Sequence, residues 1–179
     1  MDNDEKAKQW PVLLKDDAGL EEELEALLTA HVSGNPYSDD GKFAEGLAGL
    51  PLGLRAMAAT HWLDISLTMD SITWHFGNFG EPGLVAATEA GLTELGLHEL
   101  ASCFREAKAL MLPILSQRTE ADDDFNEFLE KSGVRQRAEE LDRRAWDLDN
   151  SGPGKSLIYE AWIRYTRQYP ERVFEAPKS

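Results

Sequence analysis

Wound as a helix, the stretch from Pro51 to Phe76 is apolar around most of its circumference. At about 100° per residue, Leu54, Ala58, Ile65, Ile72 and Phe76 line one side. Leu63, Leu67 and Trp74 line nearly the opposite side. A helix apolar on two sides cannot lie on a surface and has to be surrounded by other elements. Pro51 suits a first helical turn, and Gly77, Asn78, Gly80 and Pro82 close the segment. The pattern predicts one long central helix from Pro51 to Phe76. Between its apolar sides runs a narrow polar stripe of His61, Asp64, Thr68, Ser71 and His75. The two histidines stand about 21 Å apart along the axis, at about 1.5 Å per residue, too far to share an ion. A local hydrogen bond between His61 and Asp64 is the expected pairing, and no metal site is expected.

Helical periodicity recurs elsewhere, while strand-type alternation is nearly absent. Residues 21–31 carry Leu24, Leu27 and Leu28, with Leu20 just before them, on one face and Glu21, Glu22 and Glu25 on the other. Residues 33–49 hold Gly34, Asn35, Pro36, Gly41, Gly46 and Gly49 and read as a loop. Further helices are expected over 84–95, 98–112, 122–131, 134–147 and 156–169. Gly96, Pro113, Gly133 and the run Asn-Ser-Gly-Pro-Gly over 150–154 separate them. Gly96 leaves room only for a tight connection, so its two flanking helices should form an antiparallel hairpin. Ile158, Trp162 and Tyr165 form the buried stripe of the last helix. The fold class is all-α: a single-domain bundle over 1–179, with about seven helices around the buried central one and residues 1–19 loosely ordered. Cys103, among Leu100, Ala101 and Phe104, reads as a small buried thiol.

Charge limits the function more than the fold. Between Asp16 and Phe104 there are fifteen carboxylates and two basic residues, Lys42 and Arg55, giving 2 − 15 = −13. From Arg105 onward, thirteen Lys and Arg face fifteen Asp and Glu, giving −2. A strongly negative side repels nucleic acid and membrane surfaces and attracts basic proteins. No apolar secretory core opens the chain, and no apolar run reaches the length of a membrane span, so a cytoplasmic protein is expected. No Ser-His-Asp arrangement, glycine-rich phosphate loop or HExxH pattern is recognisable. No enzyme activity and no cofactor are expected.

The run Met69-Asp70-Ser71-Ile72-Thr73-Trp74-His75-Phe76-Gly77-Asn78 resembles the signature of the DNA-mimic protein nineteen family, roughly N-G-G-F-x-Q-F/Y-F-x-N-x-x-G at the end of a long helix. Ile72 takes the Phe place, Trp74 the Gln place, His75 and Phe76 the aromatic pair, and Asn78 the Asn. The Ala-rich run from Ala86 to Leu97, the run Leu141-Asp142 to Leu148, and the run Trp162-Ile163-Arg164 to Phe174 follow the family's order. The resemblance spans a core over about 50–174. Where the family has Asn-Gly-Gly, this chain has Met69-Asp70-Ser71, which suggests a more continuous helix. The resemblance implies a helical bundle, a homodimer, and carboxylates presented to a DNA-binding protein in place of phosphates.

Candidates for such an acidic surface are Glu21, Glu22, Glu25, Asp39, Asp40, Glu81, Glu89 and Glu94, then Asp122, Asp123, Asp124 and Glu127. Solvated helix faces and first-turn carboxylates are the plain alternative for all of them. Three functions stay open. One is an interaction protein that binds a basic partner, such as a transcription factor, as a DNA mimic. Another is a small-molecule or peptide module with a pocket at Asp70, Trp74, His75, Phe76 and Asn78. The third is an immunity-type inhibitor of a basic toxin.

Overall fold

Ten helices lie wholly within residues 12–119, 122, 124–150 and 156–174, which are the residues described in the computed structural model, and no strand occurs among them. They form a single all-α bundle. In chain order they are α1 (Asp17–His31), α2 (Lys42–Leu47), α3 (Leu52–Met69), α4 (Ile72–Asn78), α5 (Pro82–Glu94), α6 (His98–Leu115), α7 (Phe125–Lys131), α8 (Arg135–Asp149), α9 (Leu157–Gln168) and α10 (Glu171–Phe174).

The central position of α3 follows from its composition. Met57, Ala59 and Leu63 are fully buried, and Leu54, Ala56, Ala58 and Leu67 nearly so. Small residues let neighbours approach closely. A methyl group on Gly91 of α5 would stand 2.9 Å from the Ala56 carbonyl oxygen. Hydroxyls tie the same helices together. Thr60 Oγ1 donates to Ala56 O (2.8 Å), Thr88 Oγ1 donates to Ala59 O (3.0 Å), and Trp162 Nε1 donates to Thr60 Oγ1 (3.0 Å). The two threonine hydroxyls and the Trp162 indole N–H thus have partners, as burial in a dry core requires.

The helix does not run unbroken to Phe76. It stops at Met69, and Asp70 takes φ −152° and ψ −105°, outside the helical region. Ser71 then starts α4 as its N-cap, its Oγ accepting from Trp74 N at 3.2 Å. The expectation of a continuous helix overlooked this capping role. A second difference lies in the expected loop over 33–49, which contains α2. Phe43 and Leu47 anchor that short helix in a smaller core cluster with Leu50, Leu54, Phe79 and Leu84. A third is Pro113, which lies inside α6, two residues before its end at Leu115, instead of ending it.

The hairpin of α5 and α6 is present. Gly96 adopts φ +76°, Leu97 N donates to Leu92 O (2.8 Å) and Gly96 N donates to Thr93 O (3.1 Å). That pair of bonds is a left-handed C-terminal cap, which glycine adopts without steric cost. Of the N-terminal segment expected to be loose, residues 1–11 lie outside the described residues, whereas α1 already begins at Asp17. Residues 151–154 of the expected turn also lie outside them. Cys103 is buried, with Sγ 3.6 Å from Leu141 O, and its thiol pKa is pushed up by burial.

Candidate functional site

The corner between α3 and α4 carries the motif residues, and it is held from a distance. Asp142 of α8 accepts from Thr73 N (3.0 Å) and from Thr73 Oγ1 (2.9 Å). Burial raises the Asp142 pKa, while the bonds from Thr73 lower it. The five side chains expected to line a pocket do not converge on one. Phe76 and His75 are core residues, and the Phe76 ring lies 4.9 Å from that of Phe104. Trp74 packs on Phe125 at 4.5 Å. Asp70 and Asn78 are exposed near opposite ends of α4.

His75 is the most perturbed group of the corner. Ser66 has one hydroxyl proton and gives it to the Trp62 carbonyl at 2.8 Å. The imidazole Nδ1–H is therefore the donor in its 3.0 Å bond to Ser66 Oγ. The other nitrogen, Nε2, is buried with no hydrogen-bond partner among the described residues. The rings of Phe76, Phe79 and Phe104 surround the imidazole. Burial lowers the His75 pKa to about 3, so it is neutral at physiological pH.

The carboxylates expected to form one acidic surface divide into two groups. Many are engaged locally. Glu81, expected to be exposed, is instead buried at 9% exposure. Its Oε1 and Oε2 accept from Gly83 N (2.8 Å) and Leu84 N (2.7 Å) and cap α5. Asp122 accepts from Thr119 N at 3.0 Å, Asp124 caps α7 through Glu127 N at 3.0 Å, and Glu127 pairs with Lys131 at 2.9 Å. Asp123 lies outside the described residues. Glu89 pairs with Lys108, and Glu94 accepts from Tyr165 and pairs with Arg172 at 3.0 Å. Burial, then the bond to Glu94, raises the Tyr165 pKa to about 12. Asp40 pairs with Lys42 at 2.8 Å, which lowers its pKa.

A second group lies on α1 and in the loop after it, with Glu25 in electrostatic contact with Tyr159 and His61. Glu22 and Glu25 on α1, and Asp39 in the loop after it, are exposed and make no ion pair among the described residues. Glu21 is half-buried at the edge of the same helix.

With the helices and the motif corner placed, a family assignment follows. The sequence model described as DMP19-like protein matches residues 48–166. The chain belongs to this family. The match runs from just before α3 into α9, close to the core expected over 50–174. No curated protein and no solved structure matches the chain. The DMP19-like region includes Asp142 and the α3–α4 corner, whereas α1, α2 and the exposed Glu22, Glu25 and Asp39 precede it.

Within the DMP19-like region, several cations of α8 are tied to glutamates. Arg137 and Arg144 of α8 both reach Glu106 of α6, at 2.8 and 2.6 Å. Arg135 bridges Glu130 and Glu139, at 3.3 and 2.8 Å. An open groove of about 810 Å³ runs along α5 and is floored by Val85, Ala86, Ala90, Leu112 and Tyr169; Glu89 with Lys108, and Glu94 with Arg172, form its charged rims. Three half-buried carboxylates went unnoticed or misassigned in the sequence. Asp64 accepts a short hydrogen bond from Ser156, not from His61; Asp149 accepts from Leu157 N at 2.9 Å; and Asp142 clamps Thr73. Burial raises the pKa of all three. Among the described residues, no group of three or more His, Cys, Asp and Glu could hold a metal ion. No helix among them is long and apolar enough to cross a membrane.

Proposed function

We propose that this DMP19-like protein is a non-enzymatic acidic interaction protein that binds a basic DNA-binding protein in place of DNA. The observation that carries the reading is the run of exposed carboxylates on α1 and in the loop after it, ahead of the DMP19-like region. Cations of α6, α7 and α8 are tied to carboxylates of α5 to α8, whereas Glu22, Glu25 and Asp39 have no ion pair among the described residues. Glu22 and Glu25, at i and i+3, stand about 5–6 Å apart on the exposed side of α1. Duplex DNA presents about one charge per 1.7 Å of axis, so such a pair imitates neighbouring phosphates. A surface of this sign excludes nucleic acid and selects basic proteins.

Competition by DNA tests the reading. Proteins captured from a lysate at low salt on the immobilised chain are expected to be DNA-binding proteins, released by duplex DNA and by raised salt. Captured proteins that resist both would contradict mimicry.

A further inference from the structure

A small notch opens between the C-terminal turn of α1 and the middle of α3. It encloses about 180 Å³ and is lined by Leu28, Thr29, Val32, Ala58, His61 and Trp62. Sites for drug-sized ligands run to about 300–1,000 Å³, so this one has room for a single long side chain. Leu28, Val32 and Ala58 supply apolar wall, and Trp62 supplies an aromatic face. Tyr37, 61% exposed with its ring 6.1 Å from that of Trp62, extends the aromatic surface outward. His61 is the unengaged polar group of the notch. Its ring lies 5.2 Å from that of Trp62 and 5.9 Å from that of Trp162, but it makes no hydrogen bond among the described residues. Burial lowers its pKa, so the neutral form, with one nitrogen able to accept, predominates at physiological pH.

The polarity of the notch indicates its occupant. Helix α1 ends here, and Val32 leaves it in an extended conformation, φ −96° and ψ 119°. The Val32 N–H donates to Leu28 O at 2.8 Å, and no backbone N–H among the described residues reaches the carbonyls of Thr29, Ala30 or His31. The negative end of the helix dipole, with open acceptors, therefore lies at the notch. Glu25 stands one turn back from Thr29 on the same face of α1, within electrostatic reach of His61. Glu22 continues that face toward the start of the helix. Asp64 also lies near His61 but accepts from Ser156 instead. No lining residue is cationic. We infer that the notch receives one arginine side chain of the basic partner. Its aliphatic stem lies against Leu28, Val32 and Ala58, and its guanidinium faces Trp62, His61 and the end of α1, with Glu25 as counter-charge. A planar head with five donors suits several acceptors and an aromatic face at once, which an ammonium does not. The inference rests on the reading that the partner is basic and adds where one of its side chains binds.

The test titrates the full chain with n-butylguanidinium, the stem and head of arginine, and with n-butylurea, its uncharged counterpart, followed by NMR at low salt. The Trp62 indole N–H and the His61 ring signals should shift saturably with n-butylguanidinium and stay fixed with n-butylurea. Thr29 is exposed at the rim, so Thr29→Phe should fold, crowd the notch and bind n-butylguanidinium about tenfold more weakly. Glu25→Gln should weaken binding about threefold, within what one exposed charge contributes. The inference is overturned by n-butylguanidinium that moves neither signal, by n-butylurea that moves both alike, or by unchanged binding to Thr29→Phe. For a captured DNA-binding protein, affinity equal for Thr29→Phe and the parent, but lost in Glu22→Gln/Glu25→Gln, refutes the notch while the acidic-mimic reading stands. Saturable notch shifts in a chain whose captured proteins resist duplex DNA sink the mimic reading and leave the guanidinium site standing.

Discussion

Asp142 and Thr73 are 69 residues apart, yet one carboxylate of α8 takes both the backbone N–H and the hydroxyl of Thr73 in the first turn of α4. This contact fixes the corner at which α3 stops. Asp142→Ala leaves a backbone donor and a hydroxyl without partners in a half-buried site. It should destabilise the fold by about 1–3 kcal/mol, read as a lower urea midpoint with an unchanged slope. A midpoint equal to that of the parent chain would remove Asp142 from this role.

His75 predicts a specific acid sensitivity. Its folded pKa, about 3, lies below the ordinary 6.5, so the unfolded chain takes up the proton first as pH falls. The sign is therefore a loss of stability on acidification, starting near pH 6.5 and continuing to about pH 3. Its slope is about 1.4 kcal/mol per pH unit. Between about pH 6 and 4 the parent chain should lose stability more steeply than His75→Phe or His75→Gln by that amount. Parallel profiles for all three proteins would contradict a buried neutral imidazole.

Gly91 marks the closest approach of α5 to α3. A methyl there meets backbone, the Ala56 carbonyl oxygen at 2.9 Å and the Ala56 Cα at 3.2 Å, which cannot swing aside. Gly91→Ala should cost about 1–3 kcal/mol despite the better helix propensity of alanine. Thermal unfolding checks this, and an unchanged or raised midpoint would show that the two helices slide apart freely.

Much of the bundle was legible because apolar side chains repeat at helical spacing. Leu20 and Leu24 gave α1, and Ile158, Trp162 and Tyr165 gave α9. The Gly96 turn was legible from one residue type. The break after Met69 was not, because it depends on Asp142, remote in sequence, and on Ser71 acting as a cap rather than as part of a polar stripe. The six residues of α2 were hidden by flanking glycines and are held by Phe43 in a tertiary cluster. Glu81 looked like surface charge, although its place just before Pro82 at a helix start is a capping position. The division of carboxylates into paired and exposed groups could not be read at all, since Arg137 and Arg144 meet Glu106 only in the folded bundle.

The most direct test of the central claim is the salt dependence of affinity for a captured DNA-binding partner. It should be measured for the parent chain, for Glu22→Gln/Glu25→Gln/Asp39→Asn, and for the ion-paired control Glu127→Gln. For the parent, the logarithm of the association constant should fall linearly with the logarithm of salt concentration. The triple variant should bind more weakly, with a shallower slope, because fewer charge pairs are left for salt to screen. The control should leave the slope within about half a unit of the parent. Equal slopes for the parent and the triple variant would contradict recognition through the α1 carboxylates.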